Sequence, residues 1–174
     1  MDNNLYAAPR AEVADVIVEP RQWLTMVHRF LAALLVAGGV LGIGIAFWLG
    51  YRFVQVHWVY ILLAGAFFAL FLWACVTGVR LWRGNARGWK WAAILYASQI
   101  PVLTVPGLRY AWYTGLSLKL AGGNVVRAFS FDFGAAADFY LDTKITDVVY
   151  GINLFAIFAL SYLLTHRPNA QLQG

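Results

Sequence analysis

The sequence predicts an all-α membrane protein, with four transmembrane helices and an extracytoplasmic β-hairpin between helices three and four. Three observations carry that expectation. Of the 174 residues 61% are apolar and only 12% charged, whereas soluble domains hold nearer a quarter charged. Residues 30–51 and 53–79 contain no Asp, Glu, Lys or Arg, and each stretch exceeds the roughly 20 residues a helix needs to cross the hydrocarbon layer. The third is glycine usage: AGGVLGIGIAFWLGYRF, residues 37–53, holds five glycines. Glycine costs a soluble helix about 1 kcal/mol but is common in membrane helices, where small residues let backbones approach.

In chain order, residues 1–20 are polar, with two prolines and mixed charge, and read as a disordered cytoplasmic tail. They lack the short apolar core and cleavage site of a secretory signal. Residues 21–106 hold transmembrane helices one to three. Helix one covers 28–49, flanked by Trp48 and Tyr51 as interface aromatics. Gly38, Gly42 and Ala46 recur every four residues on it, a small-residue ridge suited to packing another helix. Helix two covers 58–81 and leaves through Arg80, Trp82, Arg83, Arg87, Trp89 and Lys90. Helix three covers 89–105, where Pro101 removes a backbone donor and kinks or ends it.

Residues 107–146 read as the β-hairpin. Leu116, Leu118 and Leu120 alternate with Ser117 and Lys119; Gly122-Gly123-Asn124 makes a turn; Val126, Phe129, Phe131 and Phe133 are interleaved with Arg127, Ser130 and Asp132. Period-two alternation around a glycine turn is a hairpin signal, and Phe139-Tyr140-Leu141 is a candidate third strand. Because an isolated hairpin is marginal in water, its apolar side needs cover. Residues 147–166 form helix four, and 167–174 a cytoplasmic tail.

Lysine and arginine placement sets the orientation. Arg10, Arg21, Arg29, Arg80, Arg83, Arg87, Lys90 and Arg167 fall on one side; Arg52, Arg109, Lys119, Arg127 and Lys144 fall on the other. Both termini are therefore expected in the cytoplasm of a multi-pass protein. The net charge of +5 follows this distribution and forms no basic face for nucleic acid. The lone Cys75 has no partner for an intramolecular disulfide.

Chemistry-bearing groups are sparse. No span carries a charge well inside it, which weighs against a proton-coupled transporter. Gln99 and Asn153 each lie six residues from a span end, roughly 9 Å below the outer interface. With Pro101 they form either a polar substrate-contacting lining beside a broken helix or an interhelical hydrogen bond. His28 and His166 invite a haem reading; axial ligands should face each other inside a bundle, however, and as residues at span ends these suit an interfacial role better, as does His57. Asp132, Asp138, Asp142 and Asp147 read as a solvated edge rather than a metal site. No serine sits on a glycine elbow.

The tail NNLYAAPRAEV and the segment YGINLFAIFALSYLL resemble the uncharacterised small four-span inner-membrane proteins of bacteria, many of which open on an Asn-Pro-Tyr tail. Here Leu5 stands in the proline's place. The resemblance implies a bacterial inner-membrane location and carries over no catalytic residue. The expected function is non-enzymatic and without cofactor: association within the lipid bilayer, as a homo-oligomer or as an accessory or assembly subunit of another membrane protein. The alternatives are a small-molecule facilitator or channel lined by Gln99, Pro101 and Asn153, and a haem or metal membrane enzyme using His28 and His166.

Overall fold

The computed structural model describes residues 22–53, 58–124, 128–142 and 146–166. Helices α1 (Gln22–Phe53) and α2 (Trp58–Trp82) form a long antiparallel pair. Helix α3 (Ala86–Ser98) folds back on α2 and leads into strands β1 (Pro101–Val105), β2 (Gly107–Gly123), β3 (Ala128–Asp142) and β4 (Val149–Asn153); α4 (Leu154–Thr165) closes the chain order. The sheet order is β1-β4-β2-β3, all pairings are antiparallel, and β1 also pairs with the start of β2. The main core lies where the helices meet the sheet: Leu31 and Leu35 of α1, Ala74 and Leu81 of α2, Leu95 and Tyr96 of α3, Trp112 of β2, and Ala156 and Ala159 of α4.

The fold corrects the four-span prediction. Among the described residues two helices are long and apolar enough to cross a membrane, Met26–Arg52 and Ile61–Trp82. Helix α3 has 13 residues and α4 has 12, giving lengths of roughly 20 and 18 Å against a hydrocarbon layer of about 30 Å. The segments expected to complete spans three and four are strands. PVLTV and VYGIN are rich in β-branched residues, and an apolar run alone does not separate a buried strand from a helix. Pro101 opens β1 rather than breaking a helix; a proline at the first strand position forfeits little of the ladder.

The sheet extends well past the hairpin expected around 116–133. β2 and β3 pair continuously from Gly107↔Asp142 to Ala121↔Ala128, and residues 139–141 belong to β3 rather than to a third strand. Midway, Gly115 and Gly134 face each other, both at positive φ (85° and 133°), which bends the hairpin where a side chain would strain it. At Gly115 the strand meets α1. A Cβ on Gly38 would lie 2.0 Å from the Gly115 nitrogen, and one on Gly115 would lie 2.7 Å from the Leu34 oxygen.

That contact sets the sheet against the middle of α1. A helix pair crossing a bilayer at that level would hold β2 and the outer edge of β3, unpaired among the described residues, at hydrocarbon depth. An open edge there leaves backbone groups without partners or water. The assignments that rested on four spans fall with them: the resemblance to four-span inner-membrane proteins, the bilayer and a membrane-embedded oligomer as partners, and the multi-pass inner-membrane location with both termini cytoplasmic. The tails 1–20 and 167–174, His57, Arg127 and Lys144 lie outside the described residues.

Side-chain partition in the hairpin is inverted relative to a sheet that buries its apolar side. Phe129, Phe131 and Phe133 are each 64% exposed, while the opposite face carries buried Ser117 and the Lys119–Asp132 ion pair at 3.1 Å. Lys119 also sits 4.4 Å from the Tyr113 ring centroid.

Candidate functional site

The two amides singled out by the sequence both act on β2. Gln99 caps the C-terminus of α3, fully buried. Its Oε1 accepts from the Thr114 backbone N–H at 3.2 Å, and its Nε2 donates to Thr114 Oγ1 at 3.4 Å. Asn153 caps the N-terminus of α4, where an amide oxygen satisfies an orphan helix donor. Its Oδ1 accepts from the Ala156 N–H at 3.4 Å and from the Leu118 N–H at 3.1 Å, and its own N–H donates to the Ile100 oxygen at 2.8 Å. They are not an interhelical pair. Each fixes a different point of the same strand, four residues apart, and together they hold β2 between the end of α3 and the start of α4. Among the described residues the buried Asn153 Nδ2 and Ser117 hydroxyl have no hydrogen-bond partner.

So anchored, β2 forms one wall of a cleft of about 490 Å³ between α2, α3 and the hairpin. Leu63, Ala66, Phe67, Leu70 and Trp73 supply a single stripe of α2; Ile94 and Ser98 come from α3, Tyr110 and Trp112 from β2, and Ala137 from β3. No lining residue is charged. Two of its polar groups converge on one carbonyl. The Tyr110 hydroxyl donates to the Ser98 oxygen at 2.9 Å and the Trp112 indole N–H donates to the same oxygen at 3.1 Å, while the Ser98 hydroxyl donates to the Leu95 oxygen at 2.8 Å. Burial pushes the Tyr110 phenol up from its ordinary range, and the neighbouring Trp112 N–H pulls it partly back. Trp91 meets the cleft residue Trp73 edge-on, centroids 5.4 Å apart. A concavity of this size with aromatic walls and few polar groups is the usual form of a small-molecule site.

The remaining candidates resolve differently. Gly38 admits the β2 backbone rather than a helix, whereas at Gly42 an added Cβ would meet the Phe71 ring of α2 at 2.2 Å. Ala46 is buried on α1. Pro101 is exposed and pairs with Ile152, and Gln99 and Asn153 are sealed and committed to β2, so these three line no pore. The association, facilitator and haem readings all presupposed a four-span bundle and are corrected together. For the histidines the obstacle is also local. His28 packs edge-on against Trp89 (4.9 Å), Trp89 stacks on Tyr162 (6.4 Å), and Tyr162 stacks on His166 (4.6 Å). One indole and one phenol ring thus stand between the imidazoles. The His28 Nε2 is engaged with the Leu81 oxygen and the His166 Nδ1 lies 3.1 Å from the Tyr162 oxygen. Among the described residues no group of three or more His, Cys, Asp or Glu is placed to hold a metal ion.

The cleft residues escaped the sequence reading. Those of α2 do recur at helical spacing, but α2 is apolar on every side, so the stripe has no polar contrast to mark it. The alternation of Tyr110 and Trp112 was the available signal, a period-two aromatic pair four residues after Pro106. Comparison of the chain with protein-family models, with curated proteins and with solved structures finds no match in any of the three.

Proposed function

We propose that the protein is a non-enzymatic binding protein for an uncharged, largely apolar small molecule, held in the cleft between α2, α3 and the β2–β3 hairpin. The observation that carries this reading is the lining itself. Four aromatic rings (Phe67, Trp73, Tyr110 and Trp112) and five aliphatic side chains surround a space of drug-like size with no charged group among them. Burying an apolar ligand there gains about 25 cal/mol per Å² removed from water, and a charged ligand would be desolvated without an ion to pair with. The α2 stripe from Leu63 to Trp73 runs about 15 Å, which suits an elongated molecule. In this reading Gln99 and Asn153 are positioning residues, and Gly38, Gly42 and Ala46 are close-approach positions that let β2 and α2 seat on α1.

Equilibrium dialysis with a radiolabelled long-chain alcohol tests it. Saturable binding at one molecule per chain is expected, abolished by Ala66→Trp, which fills the cleft from an exposed position of α2. Uptake that rises without saturation, or that Ala66→Trp leaves unchanged, contradicts the proposal.

A further inference from the structure

The cleft is closed at one end, and that end narrows the ligand class in an inference that rests on the cleft being the binding site. Among the described residues, the lining of α2 runs from Leu63 to Trp73 and that of α3 is Ile94 and Ser98. Helix α3 folds back along α2, with Trp91 beside Trp73 and Gly88 beside Leu81, so Trp73 and Ile94 stand at the same end. There the Trp73 and Trp91 rings meet edge-on, centroids 5.4 Å apart and planes at 76°. About two turns further along α2 the helices leave no gap: a Cβ on Gly88 would stand 2.6 Å from the Leu81 nitrogen and from the Arg80 carbonyl carbon. At the other end the lining stops at Leu63, and beside it Ile61 and Leu62 are 47% and 63% exposed.

A long apolar molecule entering at Leu63 therefore runs along α2 until it meets the two indole rings. We propose that the Trp73–Trp91 ring pair is a blind end that sets the length of chain the cleft buries. The ligand is a single linear hydrocarbon chain lying along the α2 stripe, its apolar tip against Trp73 and any polar head towards Leu63. The stripe measures roughly 15 Å, the length of an extended dodecyl chain. Each methylene up to that limit leaves water for an apolar wall and strengthens binding roughly fourfold. Methylenes past it project from the open end into water and add nothing. This arrangement asks no hydrogen bond of the lining, where the side-chain donors of Ser98, Tyr110 and Trp112 are turned onto main-chain oxygens.

Competition dialysis reads the blind end as a break in a chain-length series, with the 1-alkanols from octanol to hexadecanol each displacing labelled 1-dodecanol. Affinity should climb roughly fourfold per methylene and level off near dodecanol. Trp73→Ala should carry the break to longer chains. Ile94→Trp, which adds bulk at the same end from a residue 40% exposed, should bring it to shorter ones, and Leu63→Ala, at the open end, should leave it in place. The readout is the position of the break, since a variant that merely loosens the fold weakens every chain alike; should Trp73→Ala not fold, Ile94→Trp alone decides. If affinity climbs unbroken through hexadecanol, or the break stays put in both end-wall variants, as one set by alcohol solubility would, the blind end is wrong while the cleft remains the binding site. If no alkanol binds saturably, the cleft reading fails and this inference with it.

Discussion

Replacing Gly38 by alanine tests the seating of the sheet on α1 at a single atom. The added Cβ would stand 2.0 Å from the Gly115 nitrogen, 2.6 Å from the Thr114 carbonyl carbon and 2.9 Å from the Gly115 Cα. All three are backbone, so no rotamer change relieves them, and β2 must retreat by roughly 1.4 Å to reach ordinary contact. Overpacking of this kind costs about 1–3 kcal/mol. Moving β2 also stretches the two Gln99–Thr114 hydrogen bonds beside it, each worth about 1 kcal/mol. Against this the helix gains about 1 kcal/mol from glycine to alanine. The net expectation is a loss of about 2–4 kcal/mol, or a fall in Tm of roughly 5–15 °C for a chain of this size. Gly44→Ala is the control, since nothing lies within 4 Å of its added Cβ; it should raise Tm by a few degrees. Thermal unfolding followed by circular dichroism, with hydrogen exchange at Thr114 to Leu116, reads both variants. If Gly38→Ala behaves like Gly44→Ala, β2 is not seated on α1 and the positioning of the cleft wall is wrong.

Asn153→Ala removes a helix cap and the acceptor of the Leu118 N–H, for an expected loss of about 2–4 kcal/mol in denaturant unfolding. Ser117→Ala deletes a buried hydroxyl that has no partner among the described residues, so it should be neutral or stabilising by about 1 kcal/mol; a clear loss of stability would mean the hydroxyl is satisfied. Tyr96 is fully buried, donates to the Leu31 oxygen at 3.1 Å, and has its phenol pushed far up by desolvation. Above pH of about 10, where an unfolded tyrosine ionises, the folded state therefore retains the proton and stability falls with pH. Tyr96→Phe should remove about one proton from that dependence, measured as the change in unfolding free energy between pH 9 and 11.

Much of the helical pairing was open to sequence reading, because α1 and α2 each hold a long run without charge, and the alternating leucines and phenylalanines mark β2 and β3; Gly122 and Gly123, read as the turn, are the last residues of β2 and pair with β4. The segments that decide the architecture were not. Residues 101–105 and 149–153 are mostly apolar runs of five, and hydrophobicity alone assigns such runs to a neighbouring helix as readily as to a strand. Their pairing is with each other, across a separation of more than forty residues, and no local pattern encodes it. Gly38 was legible as a close-approach position but not its partner, since a small-residue ridge accepts a strand backbone as well as a helix. Gln99 and Asn153 stood out as buried amides; that each caps a short helix while holding β2 follows only once the strands are known. The cleft stripe on α2 was hidden by the helix's uniform hydrophobicity.

Exposed apolar side chains elsewhere, Phe129, Phe131 and Phe133 on the sheet and Phe47 and Trp48 on α1, give any apolar ligand competing surfaces. The decisive measurement is therefore one of location. Photo-crosslinking with a diazirine-bearing long-chain alcohol, followed by peptide mass mapping, should place the label on residues 63–73 of α2 and on 110–112 of β2, and an excess of unlabelled alcohol should suppress it. Labelling concentrated on 129–133 or on 47–48, or spread evenly and insensitive to competitor, would contradict the assignment of the cleft as the binding site.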